Sequence, residues 1–262
     1  MLEFGALFIR SSEIAMLRKL IGCCLVLLAG SSFADEVQVA VAANFAAPMK
    51  QIALAFEQTT GHKALLSFGA TGKFYAQIKN AAPFDILLAA DQTTPTQLAQ
   101  EQAAVAGSQF TYAIGKLVLW SAAAGLVDAQ GAILKHGSFA HLALASPKQA
   151  PYGAAALETL TALNLVKELS PKFVQGESIG QTYTFVATGN AELGFVALSQ
   201  VWENNQIKSG SAWIVPENLY APLRQDAILL KHGKDNSAAL ALLAYLKTDA
   251  AKNIIRSYGY RF

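Results

Sequence analysis

Three features of the sequence predict an α/β fold. From Val37 onward, short apolar runs alternate with amphipathic stretches, the pattern of parallel β-sheets covered by crossover helices. The apolar runs are rich in Val, Ile, Leu and Phe, as strands covered on both faces should be. Hydrophobic residues make up 53% of a 262-residue chain, enough to fill the cores of two compact lobes.

Taken in order, strands are expected at Val37–Ala42, Ala64–Phe68, Asp85–Ala89, Leu117–Trp120, Leu142–Ala145, Leu193–Ala197, Ala212–Val215 and Ala227–Leu230. Between the first two, Met49, Ile52, Ala53 and Phe56 recur at i, i+3, i+4, i+7 and give a helix one apolar face. Pro48 belongs in its first turn, where a missing N–H costs little, and Gly61 ends it. Thr94-Pro95-Thr96-Gln97 reads as a capping box with proline at the first helical position. The Ala/Leu-rich stretch from Ser237 to Arg256 is expected to hold two packed helices.

The amino terminus reads as a targeting segment. Arg18-Lys19 precedes the apolar run Leu20–Ala29, and small residues follow, so cleavage is expected after Ala34, with either Met1 or Met16 as the initiator. The run is too short to span a bilayer. The export signal places the mature protein in the periplasm. Both cysteines, Cys23 and Cys24, fall inside the removed segment, so thiol nucleophiles, disulfides and Cys-ligated metals are excluded. A formal charge of +2, with no Lys/Arg run longer than two, lacks the concentrated basic surface a nucleic-acid partner demands.

The informative feature is where small polar and Gly-containing turns fall. Ala43-Asn44-Phe45, Gly69-Ala70-Thr71-Gly72, Ala89-Ala90-Asp91, Pro151-Tyr152-Gly153 and Glu177-Ser178-Ile179-Gly180 lie at strand-to-helix junctions, where α/β folds bind ligands. The first N–H groups of a helix have no intrahelical partner and the macrodipole is positive there, so an anion can be held without Lys or Arg. Any one junction alone reads as an ordinary capped helix. Gly69-Ala70-Thr71-Gly72-Lys73 lacks the spacing of a phosphate loop, so nucleotide binding is rejected and Lys73 reads as a solvated helix residue.

No catalytic constellation is present. There is no G-x-S-x-G elbow and no H-E-x-x-H, and His62, His136, His141 and His232 share no metal-ligand spacing. Asp85 and Asp91 flank one strand, about 20 Å apart at strand rise, and read as capping or surface carboxylates. Trp120, Phe185 and Phe195 read as core, whereas Tyr152 beside Gly153 is placed for a ligand.

On Val41–Phe45, Ser67–Lys73, Ala82–Asp91, Glu192–Ala197 and Tyr258-Gly259-Tyr260, the chain resembles the periplasmic molybdate-binding proteins of ABC transporters over nearly all of Val37–Phe262. The resemblance implies a two-lobed, type II periplasmic binding protein-like fold, each lobe a mostly parallel sheet covered by helices. Two hinge crossings, near Ala113–Lys116 and Leu223–Gln225, divide it into a discontinuous lobe 1 (35–115 plus 225–262) and a lobe 2 (116–224). It implies a monomer that binds molybdate or tungstate as ligand, uses no cofactor, catalyses nothing and passes its guest to the permease subunits. It implies a site of Asn44, Thr71, Ala90, Tyr152 and Ile179. Asn44 and Thr71 would offer main-chain N–H and side-chain donors, and Ala90, Tyr152 and Ile179 backbone N–H. Some members carry serine where Asn44 and Thr71 stand and a ligand-binding tyrosine where this chain has Ala197, a phenol that Tyr152 would supply from another junction. Another oxyanion such as sulfate, a small organic anion, a sensing module and a periplasmic hydrolase are the alternatives.

Overall fold

The computed structural model describes residues 35–203 and 205–262, so the targeting segment lies outside the described residues. The described residues open with β1 (Glu36–Ala42), a single 3-10 turn (Ala43–Phe45) and α1 (Ala46–Thr60). Helix α1 buries Met49, Ile52 and Phe56 of the expected stripe together with Pro48, leaves Ala53 half-buried, and ends where Gly61 turns left-handed at φ 77°. There follow β2 (Lys63–Gly69), α2 (Thr71–Lys79), β3 (Ile86–Leu88), α3 (Thr93–Gln100) and β4 (Phe110–Gly115).

From β5 (Leu117–Ser121) the chain builds a second layer: β6 (Leu142–Ala145), α4 (Pro151–Ala162), β7 (Phe173–Gly176), α5 (Ile179–Ala187) and β8 (Leu193–Ala197). A short hairpin of β9 (Trp202–Glu203) and β10 (Gln206–Ile207) precedes β11 (Ser211–Ile214). Then β12 (Leu223–Leu229) returns to the first sheet, and α6 (Ser237–Tyr245) and α7 (Asp249–Ser257) close the chain as the two expected helices.

Two five-stranded sheets result, ordered β2-β1-β3-β12-β4 and β11-β5-β8-β6-β7, each with its helices forming a lobe. Both are mixed. In the first, β1 pairs in parallel with β2 and β3, while β12 runs antiparallel to β3 and β4. In the second, β6 pairs in parallel with β7 and β8, while β5 runs antiparallel to β8 and β11. The sheets are therefore half parallel, because the strands that cross between lobes enter each sheet against the direction of its βαβ core. In both, the central parallel strand has neighbours from later in the chain on its two sides, which opens a crevice at its carboxyl end.

Four strands escape the apolar-run pattern: the two-residue strands β9 and β10, and two longer ones. Phe110–Gly115 mixes Thr, Tyr and Gly, and Phe173–Gly176 is four residues long with Gln175 and Gly176 inside it. The capping box at Thr94 is also corrected. Helix α3 starts at Thr93, and Asp91 supplies the acceptor, taking the Thr94 N–H at 2.7 Å and its hydroxyl at 3.2 Å. A carboxylate at a helix amino terminus interacts with the macrodipole more strongly than a hydroxyl does. Asp85, expected as a cap or surface group, is buried and accepts the Gln38 N–H at 2.7 Å, with His232 Nδ1 at 2.8 Å.

The first lobe's core depends on α1 against β1, with Ile52 and Phe56 completely buried. Ile52→Ala is expected to destabilise the protein by roughly 2–5 kcal/mol through lost burial and a residual cavity, read as a lower urea midpoint at unchanged slope.

Candidate functional site

The carboxyl ends of β1, β2 and β3 lead directly into Asn44, Thr71 and Ala90, and those of β6 and β7 lead towards Tyr152 and Ile179. All five residues are buried, at 1–3% relative exposure. Ala42, Ala70 and Ala90 of the first lobe share one buried cluster with Tyr152, Ile179 and Ala197 of the second. The turns thus face one another across the lobe boundary. Thr71 and Ile179 open α2 and α5, and Tyr152 stands in the first turn of α4, so their N–H groups have no partner within the helix.

Direct bonds cross the boundary. Gly72 N–H donates to Gln149 O at 2.9 Å, the Ser199 hydroxyl donates to Asn44 O at 2.7 Å, and Lys73 pairs with Glu177. Lys73 is thus a solvated helix residue, as expected, that also pairs with Glu177 across the lobe boundary. A Cβ built at Gly180 would lie 3.2 Å from Ala43 Cβ, so the start of α5 packs on the 3-10 turn. A cleft of about 440 Å³ opens beside this region, lined by Gly72, Ala90 and Asp91 on one side and Gln149, Ala150 and Pro151 on the other.

The donor inventory differs in two places from the one the resemblance implies. The Ala90 N–H is spent on Thr71 Oγ1 at 3.0 Å, which leaves the Thr71 hydroxyl proton unspent by that bond. The Asn44 side chain turns inward: Nδ2 donates to Gln225 Oε1 at 2.8 Å and to the Tyr260 hydroxyl at 2.9 Å. Asn44 Oδ1 is buried without a donor among the described residues. Asn44 therefore directs its main chain, rather than its amide hydrogens, to the crevice.

Around this amide lie residues the sequence reading did not single out: Tyr112, Ser199 and Gln225. The Tyr112 hydroxyl lies 3.0 Å from Ala89 O and 3.1 Å from Gln225 Oε1, and the Tyr260 hydroxyl bonds both Asn44 O and Ser199 Oγ. Tyr260 was visible only as part of a terminal motif. It reaches Asn44 because Ile114 and Arg261 pair as an isolated bridge and bring the carboxyl terminus onto β4.

Burial pushes the Tyr112 and Tyr152 phenols well up from the usual value, and nearby Tyr260 adds to both. Tyr260 is pushed up to about 12 by burial, against the opposing effect of its hydrogen bonds to Ser199 and Asn44. All three stay protonated near neutrality. Burial also raises the Asp91 carboxyl, countered by the Thr94 N–H and hydroxyl that it accepts at the start of α3. Among the described residues, no lysine or arginine is buried, and no group of His, Cys, Asp and Glu has the geometry of a metal site.

Two mixed α/β lobes, joined by crossing strands and meeting at helix starts, define a solute-binding protein of the two-lobed kind. The chain belongs to the bacterial extracellular solute-binding proteins, whose family model matches residues 37–261. It is 60% identical over 234 residues to the molybdate-binding protein ModA of Azotobacter vinelandii, covering 89% of this chain and 93% of that one. It is 52% identical over 233 residues to the molybdate-binding protein ModA of Rhodobacter capsulatus, covering 89% and 91%. The solved periplasmic molybdate-binding protein of Azotobacter vinelandii superposes with a TM-score of 0.84 at 40% identity, covering 86% of this chain and 99% of that structure.

The buried phenols fix one pH dependence. Because native Tyr112, Tyr152 and Tyr260 hold their protons above the ordinary value of 10.0, the folded state binds more protons than the unfolded chain at alkaline pH. This contribution is fully present below pH 10.0 and is lost as pH rises through the window reaching about 12 for Tyr260. Melting temperature is expected to fall across that window, and a flat profile in a pH series of thermal melts would contradict the assignment.

Proposed function

We propose that this chain is the extracytoplasmic substrate-binding component of an ABC importer, which captures molybdate or tungstate between its lobes and delivers it to the membrane permease as a monomer. It transforms nothing chemically. Export through the segment ending at Ala34 brings it to the periplasm, and the lobe limits are 35–115 with 225–262 and 116–224.

The observation that carries this reading is the meeting of helix starts from both sheets, those of α2 and α4 without a side-chain cap and that of α5 capped only at the Gln181 N–H, in a buried region without a buried cation. A tetrahedral dianion entering there exchanges its hydration shell for fixed N–H groups and helix dipoles. The proposed donors are the main-chain N–H of Asn44, Thr71, Tyr152 and Ile179 and the hydroxyls of Thr71 and Tyr152. Ala90 contributes by orienting Thr71: its N–H occupies the threonine oxygen, so the hydroxyl proton is directed elsewhere. Relatives at 60% and 52% identity that carry the name molybdate-binding protein support the choice of guest.

Selectivity follows from proton count. Molybdate is fully ionised near neutrality, whereas hydrogen phosphate brings a proton that needs an acceptor, and none of Asn44, Thr71, Ala90, Tyr152 and Ile179 supplies a carboxylate. Sulfate near neutrality carries no proton either, so proton count does not exclude it and discrimination against it falls to cavity size.

Mass spectrometry of protein exposed to mixed molybdate, tungstate, sulfate and phosphate is expected to recover molybdenum and tungsten alone. Phosphate binding as tight as molybdate in calorimetry would end the donor-only argument. Thr71→Ala and Tyr152→Phe are each expected to weaken molybdate by roughly 1.5–3 kcal/mol, the worth of a hydrogen bond to a charged group.

A further inference from the structure

Directly beneath the proposed site lies a group that this reading leaves unused. Gln225 stands in β12 where the register against β4 shifts, and its side chain is completely buried. Its Oε1 accepts from Asn44 Nδ2 at 2.8 Å and lies 3.1 Å from the Tyr112 hydroxyl, while its Nε2 donates to the Tyr152 hydroxyl at 3.0 Å. One primary amide therefore joins two residues of the first lobe to a phenol of the second.

The direction of the bond to Tyr152 matters. A phenol carries one proton and can also accept. With the Gln225 amide donating into the Tyr152 oxygen, the phenol's own proton is not consumed there, and an oxygen that accepts is polarised towards donating more strongly. Burial keeps that proton in place. The backbone leaves room for the contact: a Cβ at Gly115 would fall 2.0 Å from the Tyr152 hydroxyl and 2.6 Å from Gln225 Nε2. Gly115 ends β4 at the first crossing and pairs with Leu223 of β12 just past the second, so this amide-to-phenol bond lies between the two hinge strands.

We infer that Gln225 is a positioning residue for oxyanion capture, which sets the Tyr152 hydroxyl as a donor to the guest and ties that phenol to Asn44 and Tyr112 of the opposite lobe. The inference rests on the reading of Tyr152 as a ligand donor. Gln225 makes no contact with the guest and acts through Tyr152. The titratable groups around it are Tyr112, Tyr152 and Tyr260, all held protonated near neutrality.

The test is calorimetric titration of molybdate into the wild type, Gln225→Glu, Gln225→Met, Tyr152→Phe and both double variants, with thermal melts to confirm folding. Gln225→Glu keeps the shape and an acceptor for Asn44 and Tyr112, but presents to Tyr152 an oxygen that takes the phenol proton. Its affinity is expected to fall by roughly tenfold or more, about 1.4 kcal/mol, and Gln225→Met to fall severalfold. Most of the Met effect should vanish when Tyr152 is Phe. Glu should keep only the part due to its charge acting on the dianion. Mild acidification should return Gln225→Glu towards wild-type affinity at the same pH, because the introduced carboxyl, once protonated, donates again. Wild-type affinity in both Gln225 variants, or losses fully additive with Tyr152→Phe, would overturn the inference and leave Tyr152 as a donor. Unchanged affinity in Tyr152→Phe would remove the donor reading and the inference together. Failure of the wild type to bind molybdate would instead defeat the proposed function.

Discussion

Burying the start of a helix leaves N–H groups that need a partner, and this fold gathers several such starts at one place. The requirement arises from topology. In each sheet the central parallel strand sends the chain to both sides, so the turns after β1, β2 and β3 collect at one end, and those after β6 and β7 collect at the end facing it. Once the lobes meet, these turns are covered by Ala42, Ala70, Tyr152 and Ile179 rather than by water. Fixed dipoles without a buried cation suit a guest that brings negative charge and no proton.

Beneath the turns, a continuous polar network carries the geometry. Asn44, Tyr112, Gln225 and Tyr260 from the first lobe meet Tyr152 and Ser199 from the second through bonds of 2.7–3.1 Å. Buried polar groups are costly unless paired, so this arrangement favours one relative placement of the lobes over neighbouring ones that break several bonds at once. Capture and lobe placement are thereby linked in the proposed mechanism, since Asn44 and Tyr152, two of the proposed donors, belong to this network.

Much of this was legible locally. The apolar stripe Met49–Ile52–Phe56 needs only helical spacing to be read, and α1 follows it. The junction turns around Asn44, Thr71 and Ile179 are signalled by small polar residues between a strand and a helix. Where local reading failed, a distant or stronger partner decided the outcome. Thr94 resembled a cap, but the Asp91 carboxylate took its N–H. Lys73 is solvated as its helix position suggests, but that position does not reveal Glu177, which pairs with it across the lobe boundary. The Asn44 amide looked available to a ligand, but Gln225 and Tyr260, 181 and 216 residues away in sequence, claim both of its hydrogens.

The sequence by itself determined the α/β class, the order of most elements and the turns that open the helices, because periodicity, glycine placement and capping chemistry act over a few residues. Tertiary structure alone decided the mixed strand directions, the bridging of the lobes by Gln225 and the way each hydroxyl and amide points. Those outcomes depend on which strands become neighbours after the chain has crossed twice between sheets, and a buried amide or phenol takes its direction from partners that no local pattern names.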